Sequence, residues 1–198
     1  EIAYNSLDLW LRSALHTLVR DVTDALEHYD VLGGTRPIEV FTDQLSNWYL
    51  RRSRRRFWKS GSDADKKAAY ATLNEALVTL SKLLAPAMPL LAEEIYRNLV
   101  VSQDGSAPIS VHLGDWPKYD QKLIDEKMNK DMTLVMKLAS LGHAARNKAN
   151  RKVRQPLAEA AFAVGSKDEM KVIGQYAELL EDELNVKHVR ALNTAGEA

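Results

Sequence analysis

A mainly helical bundle with a small α+β appendage is the fold class that the sequence predicts, on three observations. Apolar residues recur at i, i+3, i+4 and i+7 over long runs. The links between those runs are short and carry Gly, Pro and capping residues. Beyond Pro156 the pattern changes to a short apolar run, a helical run and a second alternating run. We expect an antiparallel bundle of about five helices over 1–154 and a β-α-β subdomain over 155–198.

The first helix is predicted over 6–31. Leu7, Leu11, Ala14, Leu15, Leu18, Val22, Ala25, Leu26 and Tyr29 hold its apolar face, and Gly33-Gly34 is read as its stop. Thr35 is the predicted cap of the second helix, with Pro37 in its first turn. That helix places Phe41, Leu45, Trp48 and Tyr49 on one face and runs to about Lys59. Gly61 ends it, and Ser62-Asp63 caps a third helix built on Ala69, Leu73, Ala76, Leu77, Leu80 and Leu84. Pro86 and Pro89 separate this from a fourth, with Leu91, Ile95 and Leu99 inward.

Residues 102–119 are punctuated by Gly105, Pro108, Gly114 and Pro117, with a short extended piece expected at 109–113 and Trp116 as an anchor on the bundle. A fifth helix is predicted from an Asp120 cap to about Lys152. Then come a strand at 157–164, a helix at 167–183 and a strand from 186. A β-α-β unit of this size does not stand alone, so it should lean on the bundle or on a further part of a longer protein.

Composition narrows the function classes. The 198 residues are 45% hydrophobic, enough for a core, and carry no net charge. No cysteine is present, so disulfide frameworks and thiolate metal sites are excluded, and a cytoplasmic setting fits. No uninterrupted apolar stretch approaches ~18 residues, so no membrane span is expected. The chain opens on Glu1 with no signal-peptide pattern and reads as a piece excised from a longer protein.

Charge is clustered where the helices end. Arg51, Arg52, Arg54, Arg55, Arg56 and Lys59 give six cations in nine residues without an acid. Arg146, Lys148, Arg151, Lys152 and Arg154 give five in nine. Cations suit a helix C-terminus and a solvated face, but this density exceeds what dipole compensation needs. Guanidinium groups pair with phosphate through a planar fork and stack on bases, so a nucleic-acid surface is expected. At about 100° per residue, Arg51, Arg54 and Trp58 share one side, whereas Arg52, Arg55 and Arg56 continue the apolar line and must leave the core as the helix emerges. Trp58 is the stacking candidate; Trp48 and Tyr49 belong to the core with Phe41 and Leu45.

Catalytic signatures are missing. His16, His28, His112, His143 and His188 are scattered, Glu93-Glu94 lies on a helix face, and no phosphate-cradling glycine loop or zinc spacing occurs. No catalytic residue and no metal ligand is assigned.

The string 45–58, Leu-Ser-Asn-Trp-Tyr-Leu-Arg-Arg-Ser-Arg-Arg-Arg-Phe-Trp, resembles the anticodon-binding domain of isoleucyl-tRNA synthetases. So do Ala145-Arg146-Asn147-Lys148, Lys152-Val153-Arg154-Gln155-Pro156-Leu157, Leu7-Asp8-Leu9-Trp10-Leu11, Ser110-Val111-His112-Leu113 to Trp116-Pro117, and Glu183-Leu184-Asn185-Val186-Lys187. The resemblance covers nearly the whole chain. It implies a ligase that joins isoleucine to its tRNA with ATP, on a class I Rossmann domain whose HIGH-like and KMSKS-like motifs do not occur in this stretch. ATP and zinc would belong to that parent, and this piece alone should be inactive. The implied partners are the anticodon stem-loop of an isoleucine-accepting tRNA and the catalytic domain of the same, monomeric, parent chain. A valyl or leucyl enzyme, or a helical scaffold whose cations pair with acids at 120–131 and 178–183, remain the alternatives.

Overall fold

The computed structural model describes residues 2–58 and 63–193. The chain is mainly α-helical with one small parallel sheet near its end. It divides into two compact units, Glu1–Glu126 and Lys127–Ala198, and the change from helix to strand lies at Pro156.

The first unit begins with α1 (Ser6–Glu27). Asn5 and Asp8 form a reciprocal capping box: Asn5 Oδ1 accepts from the Asp8 N–H at 3.0 Å, and Asp8 Oδ2 accepts from the Asn5 N–H at 3.1 Å. Trp10, Leu11, Leu15, Leu18, Val19 and Val22 are buried along this helix. Tyr29, expected from spacing on the same apolar face, is not part of it. The helix stops at Glu27, and Tyr29 takes a left-handed φ of 59° with its side chain 93% exposed.

The next helix, α2 (Val31–Gln44), starts earlier than predicted, because the cap is Asp30 rather than Thr35. Gly33 and Gly34 are therefore in its first turn, not at a stop. Space explains both glycines: a Cβ on Gly33 would meet Asp30 Oδ2 at 2.2 Å, and one on Gly34 would meet Leu26 Cδ2 at 2.7 Å. A π-helical segment, Leu45–Leu50, joins α2 to α3 (Arg51–Trp58) without a break. Lys59 and the expected Gly61-Ser62 break lie outside the described residues. Asp63 caps α4 (Ala64–Leu84), accepting from the Lys66 N–H at 2.7 Å.

Pro89 opens α5 (Pro89–Tyr96), which passes into a π-helical turn at Arg97–Val101. The expected extended piece at 109–113 is instead a 3₁₀ turn, Val111–Leu113. Glu93 holds it, accepting from Ser110 Oγ at 2.8 Å and from the Val111 N–H at 3.0 Å. Trp116 is the anchor expected, its Nε1 donating to Thr23 Oγ1 at 2.8 Å. Asp120 caps only a second 3₁₀ turn, Gln121–Leu123, and α6 begins later, at Glu126, and ends at Lys148.

In the second unit, β1 (Leu157–Val164) pairs in parallel with β2 (Val186–Asn193), with Leu157 opposite Val186 and Phe162 opposite Ala191. The predicted single helix between them bends at Tyr176 into α7 (Lys167–Gln175) and α8 (Ala177–Leu184). Phe162, Val164, Val172, Ile173, Leu180 and Leu184 are buried and form the apolar part of this unit. No described helix is long and apolar enough to cross a membrane.

Candidate nucleic-acid interface

The two basic clusters sit one on each unit, and each is built around a single inward arginine. On α3 only Ser53 and Arg56 are buried, and Phe57 is half-buried with its ring edge-on to Tyr70 at 5.1 Å. These three fall within an arc of about 100° on the helix, and Arg51, Arg54, Arg55 and Trp58 span the opposite arc. All four of those are exposed. Trp58 is 77% exposed, and Arg54 Cζ lies 5.6 Å from its ring centroid, so a cation and an aromatic face are presented together. Arg51 Nε donates to the Asn47 carbonyl at 2.9 Å, one turn back.

Two arginines of this row do not behave as expected. Arg52 is half-buried, with its guanidinium 5.3 Å from the Trp48 ring, so it extends the core edge rather than leaving it. Arg56, expected as a contact cation, is turned inward and only 9% exposed. Its Nη1 and Nη2 donate to Asp8 Oδ1 and Oδ2 at 2.8 and 2.7 Å. Its Nε donates to Asp65 Oδ1 at 2.7 Å, and Nη2 also reaches the Asp65 carbonyl at 3.1 Å. The apolar line of the helix does continue to Arg56, and the charge stays inside because two carboxylates from α1 and α4 are there to meet it.

Asp8 is fully buried and has four donors, counting Tyr49 Oη at 2.6 Å from Oδ1 and its capping bond from Asn5. Burial would raise its carboxyl. The hydrogen bonds from Arg56, Tyr49 and the Asn5 N–H, with the guanidinium charge, outweigh that and hold it below the ordinary carboxylate value. The same network pushes the Tyr49 phenol well above its ordinary value, through burial first and its bond to Asp8 second. Burial would lower the Arg56 guanidinium, and Asp8 more than reverses this.

On the second unit, Arg146 is the inward member, 5% exposed. Its Nη2 donates to the carbonyls of Val153, at 3.1 Å, and Gln155, so it closes the turn after α6 on itself. Its Nε and Nη1 are buried with no hydrogen-bond partner among the described residues. Asn150, with φ 51°, lets the chain reverse, and Asn185 Nδ2 donates to the same Val153 carbonyl at 2.9 Å. Lys148, Arg151, Lys152 and Arg154 are exposed around this turn. Beside it, a cleft of about 430 Å³ runs between α6 and the sheet, lined by Leu141, Ala145, Arg146, Ala160, Phe162 and Leu184.

Lys59, the remaining predicted contact, lies outside the described residues. Sequence reasoning missed Asp8 and Asp65 as partners of the basic row. The signal was there for Asp8: an acid three and seven residues before Leu11 and Leu15 sits on the apolar stripe of α1. An acid at such a position needs a buried cation. Among the described residues no group of three metal-ligating side chains converges.

A family model for the anticodon-binding domain of tRNA ligase matches residues 8–161. The chain belongs to this anticodon-binding domain family. It is similar to an isoleucine–tRNA ligase of Dehalococcoides mccartyi, 54% identical over 181 residues, which is 91% of this chain and 18% of that one. The corresponding protein of Deinococcus radiodurans is 46% identical over 186 residues, 94% of this chain and 17% of that one. That of Clostridium novyi is 42% identical over 188 residues, 95% of this chain and 18% of that one. The chain thus spans less than a fifth of the length of these curated relatives.

Proposed function

We propose that this chain holds the anticodon stem-loop of an isoleucine-accepting tRNA on behalf of a parent isoleucine–tRNA ligase. The observation that carries the reading is the outward face of α3, where Arg51, Arg54, Arg55 and Trp58 stand together. Arginines on a helix fix an RNA backbone through phosphate, and an exposed indole accepts an unstacked base. Lys148, Arg151, Lys152 and Arg154 supply a second cationic surface on the other unit, and Lys59, next in sequence after Trp58, is assigned to the same RNA contact. Relatives at 42–54% identity that are isoleucine ligases favour isoleucine over the valine or leucine enzymes.

The parent would join isoleucine to tRNA with ATP, in the cytoplasm and as a monomer, on a catalytic domain outside this stretch, where any zinc would also belong. This chain alone would bind without catalysing. The inward Arg56 and Arg146 are what a scaffold without RNA would explain, and that reading gives the outward face of α3 no role.

The test is titration of the chain with isoleucine tRNA, and with the same tRNA carrying a changed anticodon, across a range of salt. The expected result is affinity that falls with salt by about 0.7 log units per log unit of salt for each single-stranded phosphate contact, and that drops on changing the anticodon. A flat salt response, or no binding at low salt, overturns the reading in favour of a scaffold.

A further inference from the structure

We infer that Asp8 is a positioning residue for RNA contact, acting through Arg56 to seat the last turn of α3 and so the outward arc of that helix. The inference rests on the reading of α3 as an RNA-binding face. The start of α3 is set by the buried Leu45, Trp48 and Tyr49 of the π-helical segment that runs into it, but beyond Arg51 only Ser53 and Arg56 are buried and Phe57 is half-buried, so the last turn has little apolar surface to seat it. The seat of that turn must then come from specific bonds. The Arg56 fork supplies them, because a guanidinium has five N–H donors in one plane and every nitrogen is bonded here. Two of these bonds go end-on, through Nη1 and Nη2, to Asp8 in the first turn of α1, and the Nε bond goes to Asp65 in the first turn of α4. Such a bidentate pair resists rotation as well as separation.

Asp8 is itself immobilised. The capping box ties it to the start of α1, and Tyr49, in the π-helical segment directly before α3, donates to the same oxygen as Arg56 Nη1. One carboxylate therefore joins the origin of α1, the entry to α3 and the last turn of α3. The outward arc of Arg51, Arg54, Arg55 and Trp58 is the far side of a helix whose near side is clamped at this point.

The experiment compares the chain with its Asp8→Asn, Asp65→Asn and Val22→Ala variants. Asn keeps the shape of Asp8 and removes its charge, and Val22 is a fully buried α1 residue that serves as a stability control. Each folded variant is titrated with isoleucine tRNA well below its own thermal midpoint. Asp8→Asn is expected to weaken binding at least tenfold and to make the salt dependence shallower by about 0.7 for each phosphate that is no longer engaged. Val22→Ala should lower the midpoint while leaving affinity and salt slope unchanged. If Asp8→Asn does not fold, Asp65→Asn carries the test, because that carboxylate is partly exposed, and a two- to fivefold drop in affinity with a shallower slope is expected.

Unchanged affinity and slope in the folded Asp8 or Asp65 variant overturns the inference, as does an equal weakening in Val22→Ala. Failure of the unsubstituted chain to bind tRNA is a different result. It overturns the RNA reading itself.

Discussion

Arg56 and Asp8 form a closed, two-pronged ion pair, 2.8 and 2.7 Å on its two arms, between the last turn of α3 and the first turn of α1. Neither side chain is more than marginally exposed, so truncating one leaves a buried charge behind. Arg56→Ala should therefore destabilise the fold by about 3–5 kcal/mol in denaturant melts. Arg55→Ala, one residue away and exposed, should change stability by less than about 0.5 kcal/mol and instead weaken tRNA binding. Equal effects of the two on stability would contradict the division of α3 into an inward and an outward arc.

Acid should find this network. Asp8 and Glu75 both hold their carboxyls below the ordinary values of 3.8 and 4.5. At Glu75 burial acts upward, and the bonds from His16 and Arg12 more than offset it. A carboxyl lowered on folding contributes stability that is fully present above its ordinary value and is lost as pH falls through the folded one. Stability from these two groups should thus be constant from neutral pH down to about 5 and decline below about 4. Denaturant melts across that range check it, and Asp8→Asn should flatten part of the acid decline.

The alkaline side offers a spectroscopic mark of the same pairing. Burial and then the bond to Asp8 raise the Tyr49 phenol above its ordinary 10.0. Raising favours the neutral form, so the contribution is present below pH 10 and is lost as pH climbs through the folded value. In an ultraviolet absorbance titration of the seven tyrosines, one equivalent should ionise only as the chain unfolds. In Asp8→Asn that equivalent should move to lower pH. A tyrosine titration identical in the two chains would contradict the coupling.

Periodicity makes most of the helices legible, because burial of one face is what a 3.6-residue repeat encodes. Trp48 and Tyr49 are core residues for that reason, in the sequence pattern and in the structure alike. Ends are harder, since they depend on single bonds and on space. The start of α2 turns on Asp30, and Gly33-Gly34 resembles a stop because Gly at a helix end and Gly at a close approach leave the same letters. Tyr29 fits the apolar spacing by number alone, while the chain has already left the helix.

The basic row is legible as a cluster but not residue by residue. Charge counting treats Arg55 and Arg56 alike, and only the placement of Asp8 and Asp65, far away in sequence, tells them apart. Charge counting places Arg146 among the outward cations for a similar reason: its acceptors are backbone carbonyls at Val153 and Gln155, which carry no signature in side-chain composition.

The paired tryptophans put the remaining distinction to measurement. Trp48 is 6% exposed beneath Arg52, and Trp58 is 77% exposed beside Arg54. Removing a buried indole forfeits its packing and leaves a cavity, so Trp48→Ala should destabilise the fold by about 3–5 kcal/mol. Removing an exposed one leaves nothing empty, so Trp58→Ala should lie within about 0.5 kcal/mol of the unsubstituted chain. On RNA the order reverses. A base stacked on Trp58 contributes about 1–3 kcal/mol, which makes Trp58→Ala roughly five- to 150-fold weaker in binding, while the salt slope stays the same because every phosphate partner remains. Weaker binding with a shallower slope would instead mean that Trp58 acts by steadying Arg54, and an unchanged affinity would remove Trp58 from the interface.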